Sequence, residues 1–252
     1  MDRICVLLPA FNEAGRVAAV VRGALALPLK DAALEVVVVD DGSTDATAAR
    51  AERAGARVVR LGSNRGVGAA LAAGFELARS ERFDYLVSID ADGQLDPAQI
   101  PLVLGPVRRG EADVAIGSRF LHGRPEYMNA AKAGALRLLA FAVGLAVDSP
   151  LSDLSCGLRA LNQNAIAAAR PRFEYDYVQE TLLQFFAARL RVVEVPVTAV
   201  GRSGPRGISA RTFHYLSRYL LLLAYGLAGF YLSRLRRLLA PAPAPRLLRA
   251  GR

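Results

Sequence analysis

Eight residues, "LEVVVVDD" at positions 34–41, restrict the fold more than any other part of this chain. Side chains on a β-strand alternate between the two faces of a sheet, so four successive valines leave no face for solvent. Such a strand needs cover above and below, as in a parallel sheet flanked by helices. The run then stops at two aspartates, which places two charges at the rim of a buried element.

Comparable runs recur. "ICVLLPA" (4–10) reads as a buried strand, followed by a helical pattern from about Ala14 to Leu27. "ATAARAERAG" (46–55) reads as a helix ending in glycine, "RVVRLG" as a short third strand, and "VGAALAAGFELAR" as a helix of small residues. "DYLVSIDAD" is a fourth strand, "IPLVLGPVRRG" a helix and "ADVAIGSR" a fifth strand. Strands alternating with helices in this way predict an α/β, Rossmann-like fold with a mainly parallel sheet. Later come two apolar helices, "AKAGALRLLAFAVGLAV" (131–147) and "YDYVQETLLQFFAARL" (175–190). A strand, "RVVEVPV" (191–197), and a basic glycine-rich loop, "GRSGPRGISAR" (201–211), follow. No internal repeat is present.

The 252 residues suffice for one sizeable domain with an appendage, and 53% apolar against 22% charged content excludes a disordered chain. Cys5 and Cys156 form no disulfide framework, which predicts a reduced, cytosolic setting. The N-terminal "MDRICVLLPAFNE" has no basic leader, so no signal peptide is expected. Net charge is +9, unevenly placed: after Glu194 there is no acidic residue and ten arginines. Fifteen uncharged residues, "YLLLLAYGLAGFYLS", separate Arg218 from Arg234. As a helix they would reach about 22 Å, against a hydrocarbon core of ~30 Å, which suits an interfacial or partly inserted segment. The reading divides the chain into a globular domain (1–210), an interfacial or membrane-associated helical segment (211–240) and a Pro/Ala-rich basic tail (241–252).

Ligands of open α/β sheets bind beyond the C-terminal strand ends, and the unusual residues lie there. "SIDADGQLD" (88–96) ends a strand in Asp90 and Asp92. On a straight strand these would face opposite sides, but a bend at Gly93 turns both toward one hard cation, with Gln94 beside them. Alone, D-x-D is as well read as a solvated turn. Two further clusters shift the weighting. Asp40 and Asp41 precede a Gly42-Ser43 turn, and Asn12 and Glu13 open a helix whose positive terminus can face an anion. Three such clusters describe a nucleotide held by base, ribose and metal-bridged diphosphate. "NRGVGAALAAG" (64–74) contains G-x-G, yet the first βα turn lacks the dinucleotide fingerprint; these glycines are read as permitting close helix–sheet packing.

Together these stretches resemble the family 2 glycosyltransferases of GT-A fold, and within them the dolichyl- and polyprenyl-phosphate mannose or glucose synthases. The matching segments are "LPAFNEAGRV", "VVVDDGSTDAT", "NRGVGAALAAGFELA", "SIDADGQLDP", "VAIGSRF", "SDLSCGLRA" and "VVEVPV", across about residues 4–210. The resemblance implies nucleotide-sugar contacts at Pro9, Phe11, Asn12, Glu13, Asp40, Asp41, Ser43, Asp90 and Ala91. It implies Mg²⁺ or Mn²⁺ near Asp90, Asp92 and Gln94, and phosphates near Arg119. Arg202 and Arg206 would meet the acceptor phosphate, and Lys132 would replace an arginine that mannose synthases carry before the apolar helix. Asp153 matches the aspartate before the family's "SG" step, where this chain has Cys156 for serine.

The implied partners are a GDP-mannose- or UDP-glucose-type donor, a polyprenyl phosphate and the cytoplasmic face of a membrane; a homo-oligomer is left open and no nucleic acid is expected. A phosphate acceptor is already anionic, so in-line attack with inversion needs no strong base. Asp92, Asp153 and Arg119 are the candidate catalytic residues, while His122 and His214 are read as incidental. Two alternatives stand beside this reading: transfer to a saccharide or other hydroxyl, with a working carboxylate base, and a basic membrane- or nucleic-acid-binding module without turnover.

Overall fold

The computed structural model describes residues 1–171 and 177–201, together with Ala228 and Tyr231. Its strands are β1 (Asp2–Ala10), β2 (Ala32–Asp40), β3 (Arg57–Arg60), β4 (Tyr85–Ser88), β5 (Val114–Ser118), β6 (Arg159–Asn162) and β7 (Val192–Pro196). Its helices are α1 (Val17–Leu25), α2 (Thr47–Arg53), α3 (Val67–Ser80), α4 (Ile100–Arg108), α5 (Ala130–Val147), α6 (Gln163–Ala168) and α7 (Tyr177–Ala187). The strands form one sheet in the order β3-β2-β1-β4-β6-β5-β7.

The valine run behaves as its composition requires: Val36 to Val39 are all buried, two on each side of the sheet. On one face α1, α2 and α4 supply Val17, Val21, Ala51, Ile100 and Leu104 to the core. On the other, α3, α5, α6 and α7 supply Leu71, Phe75, Val143, Ile166 and Leu182. Chain order reverses between β1 and β4, the switch point where such sheets bind ligands.

β6 is the departure from the expected pattern. It runs antiparallel to both β4 and β5, a reversed strand within the mainly parallel sheet that the sequence predicts. Only four residues long and containing Arg159, it carries too little apolar periodicity to be seen in sequence. The reversal has a consequence for the rim. The segment entering β6 arrives at the same end where β4 and β5 finish, and so adds residues 152–157 to the candidate site.

The small-residue helix α3 buries Gly68, Ala70 and Gly74, as expected from its composition, and Gly74 meets β1. Gly66 is the residue before the helix, with a left-handed φ of 88°. A methyl group at Gly74 would come within 2.3 Å of Leu7 Cδ1, and Leu7 is itself completely buried. Gly74→Ala should therefore destabilise the fold by about 1–3 kcal/mol through overpacking. Leu7→Ala alone should cost about 2–5 kcal/mol. Because truncating Leu7 makes the space that the added methyl needs, the double variant should lose clearly less than the sum in urea unfolding. Additive losses would show that the two groups do not compete for space.

Candidate active site

β1 ends beside a gap. Ile89 N donates to Leu7 O at 3.0 Å, and the β1–β4 ladder stops at the Leu7–Ser88 pair. Pro9 lies just beyond, still paired with Val39 of β2 but facing no strand on its β4 side. Its missing N–H therefore leaves no ladder bond unmade. Phe11, which follows, is 41% exposed at the rim.

The loops after β1 and β2 are tied to each other. Asn12 takes a left-handed φ of 55°, which asparagine tolerates, and its N–H donates to Ser43 Oγ at 2.9 Å. Asn12 Oδ1 accepts from Thr44 N at 2.9 Å, and Glu13 N donates to Thr47 Oγ1 at 2.8 Å. The adjacent aspartates have different environments. Asp41 spends both oxygens on the next loop, accepting from Arg65 N and Gly66 N at 2.8 Å each. Asp40 Oδ1 accepts from Ser43 N at 3.2 Å, while Oδ2 has no partner among the described residues. Asp40 is thus the better placed of the two to accept from a ligand, and Asp41, Asn12 and Ser43 shape the rim.

β4 stops at Ser88, and the chain bends so that Asp90 to Gln94 form a turn with Gly93 at φ 71°. Asp92 Oδ1 accepts from Gln94 N at 3.0 Å, whereas Asp90 accepts no hydrogen bond from any described residue. Ala91 is buried, and the Gln94 side-chain amide donates to Val200 O at 3.0 Å. Burial and the negative charge of Asp92 push the Asp90 pKa up to about 6, against partial relief from Arg119 and Arg159. Asp90 rests on Gly157, where a Cβ would lie 2.3 Å from Asp90 Oδ2. No group of three or more metal-ligating side chains gathers among the described residues. Two carboxylates that accept a single hydrogen bond between them from the described residues nevertheless fit Mg²⁺ or Mn²⁺, which commonly take only one or two protein carboxylates.

Opposite Asp90, at the end of β5, Arg119 pairs with Asp153. Arg119 Nε and Nη2 meet the two carboxylate oxygens at 2.7 and 2.9 Å, and Arg119 N donates to Asp153 Oδ2 at 3.2 Å. Ser155 adds its N–H to Asp153 Oδ1 at 2.9 Å and accepts from Arg119 Nη2 at 2.6 Å. Burial alone would lower the Arg119 pKa, but the hydrogen bonds and charge of Asp153 raise it above its usual value. Nη1 remains without a partner among the described residues and offers two donors. Cys156 is buried behind this pair; burial pushes its thiol to about 12, and the same holds for Cys5, so both stay as unreactive free thiols.

Lys132 lies exposed in the first turn of α5, and its backbone N–H donates to Asn129 Oδ1. Arg202 and Arg206 lie outside the described residues, as do 211–240 and 241–252 apart from Ala228 and Tyr231. The Tyr231 hydroxyl donates to Ala146 O, in α5, at 2.7 Å. Ser155, Gly157 and Arg159 were not singled out as site residues from sequence. Their signal is the spacing of "DLSCGLR", which becomes interpretable only once β6 is known to be antiparallel.

Comparison with known proteins accounts for this arrangement. The sheet has the GT-A fold: a glucosyl-3-phosphoglycerate synthase from Mycobacterium tuberculosis superposes with a TM-score of 0.65 and 25% identity, covering 91% of this chain and 80% of that one. The family model for glycosyl transferase family 2 matches residues 5–168, and the chain belongs to that family. It is a glycosyltransferase, which removes the binding-module alternative. Among its relatives, an undecaprenyl-phosphate mannosyltransferase of Micrococcus luteus is 32% identical over 226 residues, covering 79% of this chain and 84% of the relative. A polyprenol monophosphomannose synthase of Mycolicibacterium smegmatis is 30% identical over 221 residues, covering 80% and 78%. Glycosyltransferase AglD of Haloferax volcanii is 33% identical over 205 residues, and the match spans 32% of its length.

The charge at Asp90 has a measurable cost. Its folded pKa of about 6 exceeds the ordinary 3.8, so the unfolded chain binds fewer protons between those values. The destabilisation is therefore absent below the lower value, grows as pH rises and is complete above the upper one. In chelator, Asp90→Asn should melt a few degrees above the parent at pH 7.5, with the advantage reduced by roughly half at pH 5. Equal melting temperatures at pH 7.5 would contradict this electrostatic account.

Proposed function

We propose that the protein transfers a hexose from a nucleoside-diphosphate sugar to a polyprenyl phosphate at the cytoplasmic face of a membrane, with inversion at the anomeric carbon. The observation that carries this reading is the condition of Asp153. A general base needs a carboxylate oxygen open to the proton it removes. Asp153 is 1% exposed, and both oxygens are taken up by donors from Arg119 and Ser155. An acceptor that arrives already ionised fits such a site, whereas a sugar hydroxyl does not. The Micrococcus and Mycolicibacterium relatives are named for the same acceptor class, which supports this reading.

In this reading Asp40 accepts from the donor's base or ribose, with Pro9, Phe11 and Glu13 forming the floor and rim around it. Asp90 and Asp92 hold a divalent cation whose role is to offset charge on the departing diphosphate. Arg119, locked by Asp153, directs Nη1 at the same phosphates, so charge developing on the leaving group meets donors that need no reorganisation. Arg202, Arg206 and Lys132 are assigned to the acceptor phosphate.

The surface of α5 supports a membrane-borne acceptor. It is 18 residues long, is the one helix among those described that is long and apolar enough to cross a membrane, and is only 28% buried. Leu138, Phe141 and Leu145 stand 69%, 58% and 68% exposed at helical spacing. Its two charged residues, Lys132 and Arg137, are both basic and exposed, which suits anionic headgroups beside an apolar ridge.

The test is a panel of labelled nucleotide sugars with a short polyprenyl phosphate. Label should enter the organic phase with Mg²⁺ or Mn²⁺ and stay aqueous in chelator. Asp92→Ala should reduce transfer by about 100-fold or more. Transfer to a saccharide hydroxyl in place of the lipid phosphate would overturn the acceptor assignment, and a product with retained configuration would overturn inversion.

A further inference from the structure

The edge strand β7 carries an anomaly. Along "VVEVP", Val193 and Val195 pack into the core on the α1/α4 side, and Val192 packs against the opposite core. Alternation puts Glu194 on the same face as Val192, at a position where an apolar residue would complete the packing. Bringing a carboxylate there costs desolvation unless its oxygens are satisfied. They are satisfied entirely by one short turn. Ser152 N lies 3.0 Å from both Glu194 oxygens, Ser152 Oγ donates to Oε2 at 2.8 Å, and Asp153 N donates to Oε1 at 2.9 Å.

None of these bonds serves β7 itself, whose ladder to β5 is made by backbone groups. All of them fix the turn that presents Asp153. A second clamp comes from β5, where Ser118 Oγ and Ser152 Oγ are 2.6 Å apart. The turn is thus held from two strands, and the Asp153 side chain passes that constraint to Arg119 through Nε and Nη2.

We infer that Glu194 is a positioning residue: it fixes the 152–153 turn so that the Asp153–Arg119 pair keeps the Arg119 Nη1 donors aimed at the donor's diphosphate. This rests on the diphosphate role proposed for Arg119. Glu194 touches no substrate, so its contribution runs wholly through Asp153. A small error in guanidinium placement is enough to matter, because preorganised donors lose their value once they must move during the reaction.

A double-mutant cycle tests it on the full-length protein. Glu194→Gln keeps the side chain's shape but turns one acceptor into a donor facing the 152–153 N–H groups. It should lower kcat about tenfold and leave donor KM within about twofold, with only a modest fall in melting temperature from the N–H group left without its acceptor. In an Asp153→Asn background the same change should alter kcat by less than about twofold. Glu194→Asp, which retains the charge but shortens its reach, should fall between parent and Glu194→Gln. A lowered melting temperature with kcat intact would make Glu194 purely structural and overturn the inference. A tenfold loss that multiplies in full onto Asp153→Asn would overturn it too. Rates are read as donor hydrolysis in water as well as transfer to the prenyl phosphate. A wrong acceptor would abolish the second and leave the cycle readable in the first, whereas an additive cycle with transfer intact sinks Glu194 alone.

Discussion

The pairing of Arg119 with Asp153 is the interaction on which the rest of the site depends. Two oppositely charged groups with almost no solvent would be costly apart; in bidentate contact, with Ser155 completing the shell, each offsets the other's desolvation. The pair also bridges chain segments that local structure cannot bring together, the end of β5 and the turn entering β6. Once it is made, the guanidinium has little freedom, and its charge acts on Asp90 at the same end of the sheet. A fixed guanidinium and a carboxylate pair only partly offset by it give the rim a polarity suited to a bridging diphosphate.

Much of this was legible in the residues themselves. The valine run required cover on both faces and received it, and the strand ends carried the polar residues that the rim displays. Gly93 bends the chain after Asp90 as its place in "DADGQ" implied. What stayed hidden was non-local. β6 is four residues long with an arginine at its start, so neither length nor alternation marks it as a strand. Its reversed direction follows from pairing with β4 and β5, which no local pattern encodes. Without that reversal, Asp153, Ser155 and Gly157 have no reason to meet Arg119 and Asp90.

The polar residues after β1 and β2 show a different limit. "NEAG" and "DDGSTDAT" are rich in groups able to hold a nucleotide, and sequence reading gave nearly all of them that role. In the fold several are occupied: Asn12 with Ser43 and Thr44, Asp41 with Arg65 and Gly66, Asp45 with Thr47 and Ala14. Residue type alone does not separate a side chain that binds ligand from one that builds the loop. The count of hydrogen bonds already made does, and by that measure Asp40, Asp90 and Asp92 keep oxygens open to a ligand.

Asp90 also shows why the site is poised rather than relaxed. Burial and the neighbouring charge of Asp92 make ionisation of Asp90 costlier than in water and raise its pKa to about 6. Gly157 leaves the room that Asp90 occupies, since a Cβ there would meet its carboxylate, and Gly93 allows the bend that follows. In the proposed reading, a cation held by Asp90 and Asp92 would offset that penalty. Such a ligand stabilises the folded state by more than its direct contacts would suggest. The same logic links the two halves of the site. Arg119 partly offsets Asp90 from across the rim, so a diphosphate that draws on Arg119 weakens that offset and raises the demand for the metal. Donor and cation should consequently bind with positive coupling, each completing the charge balance that the other leaves open.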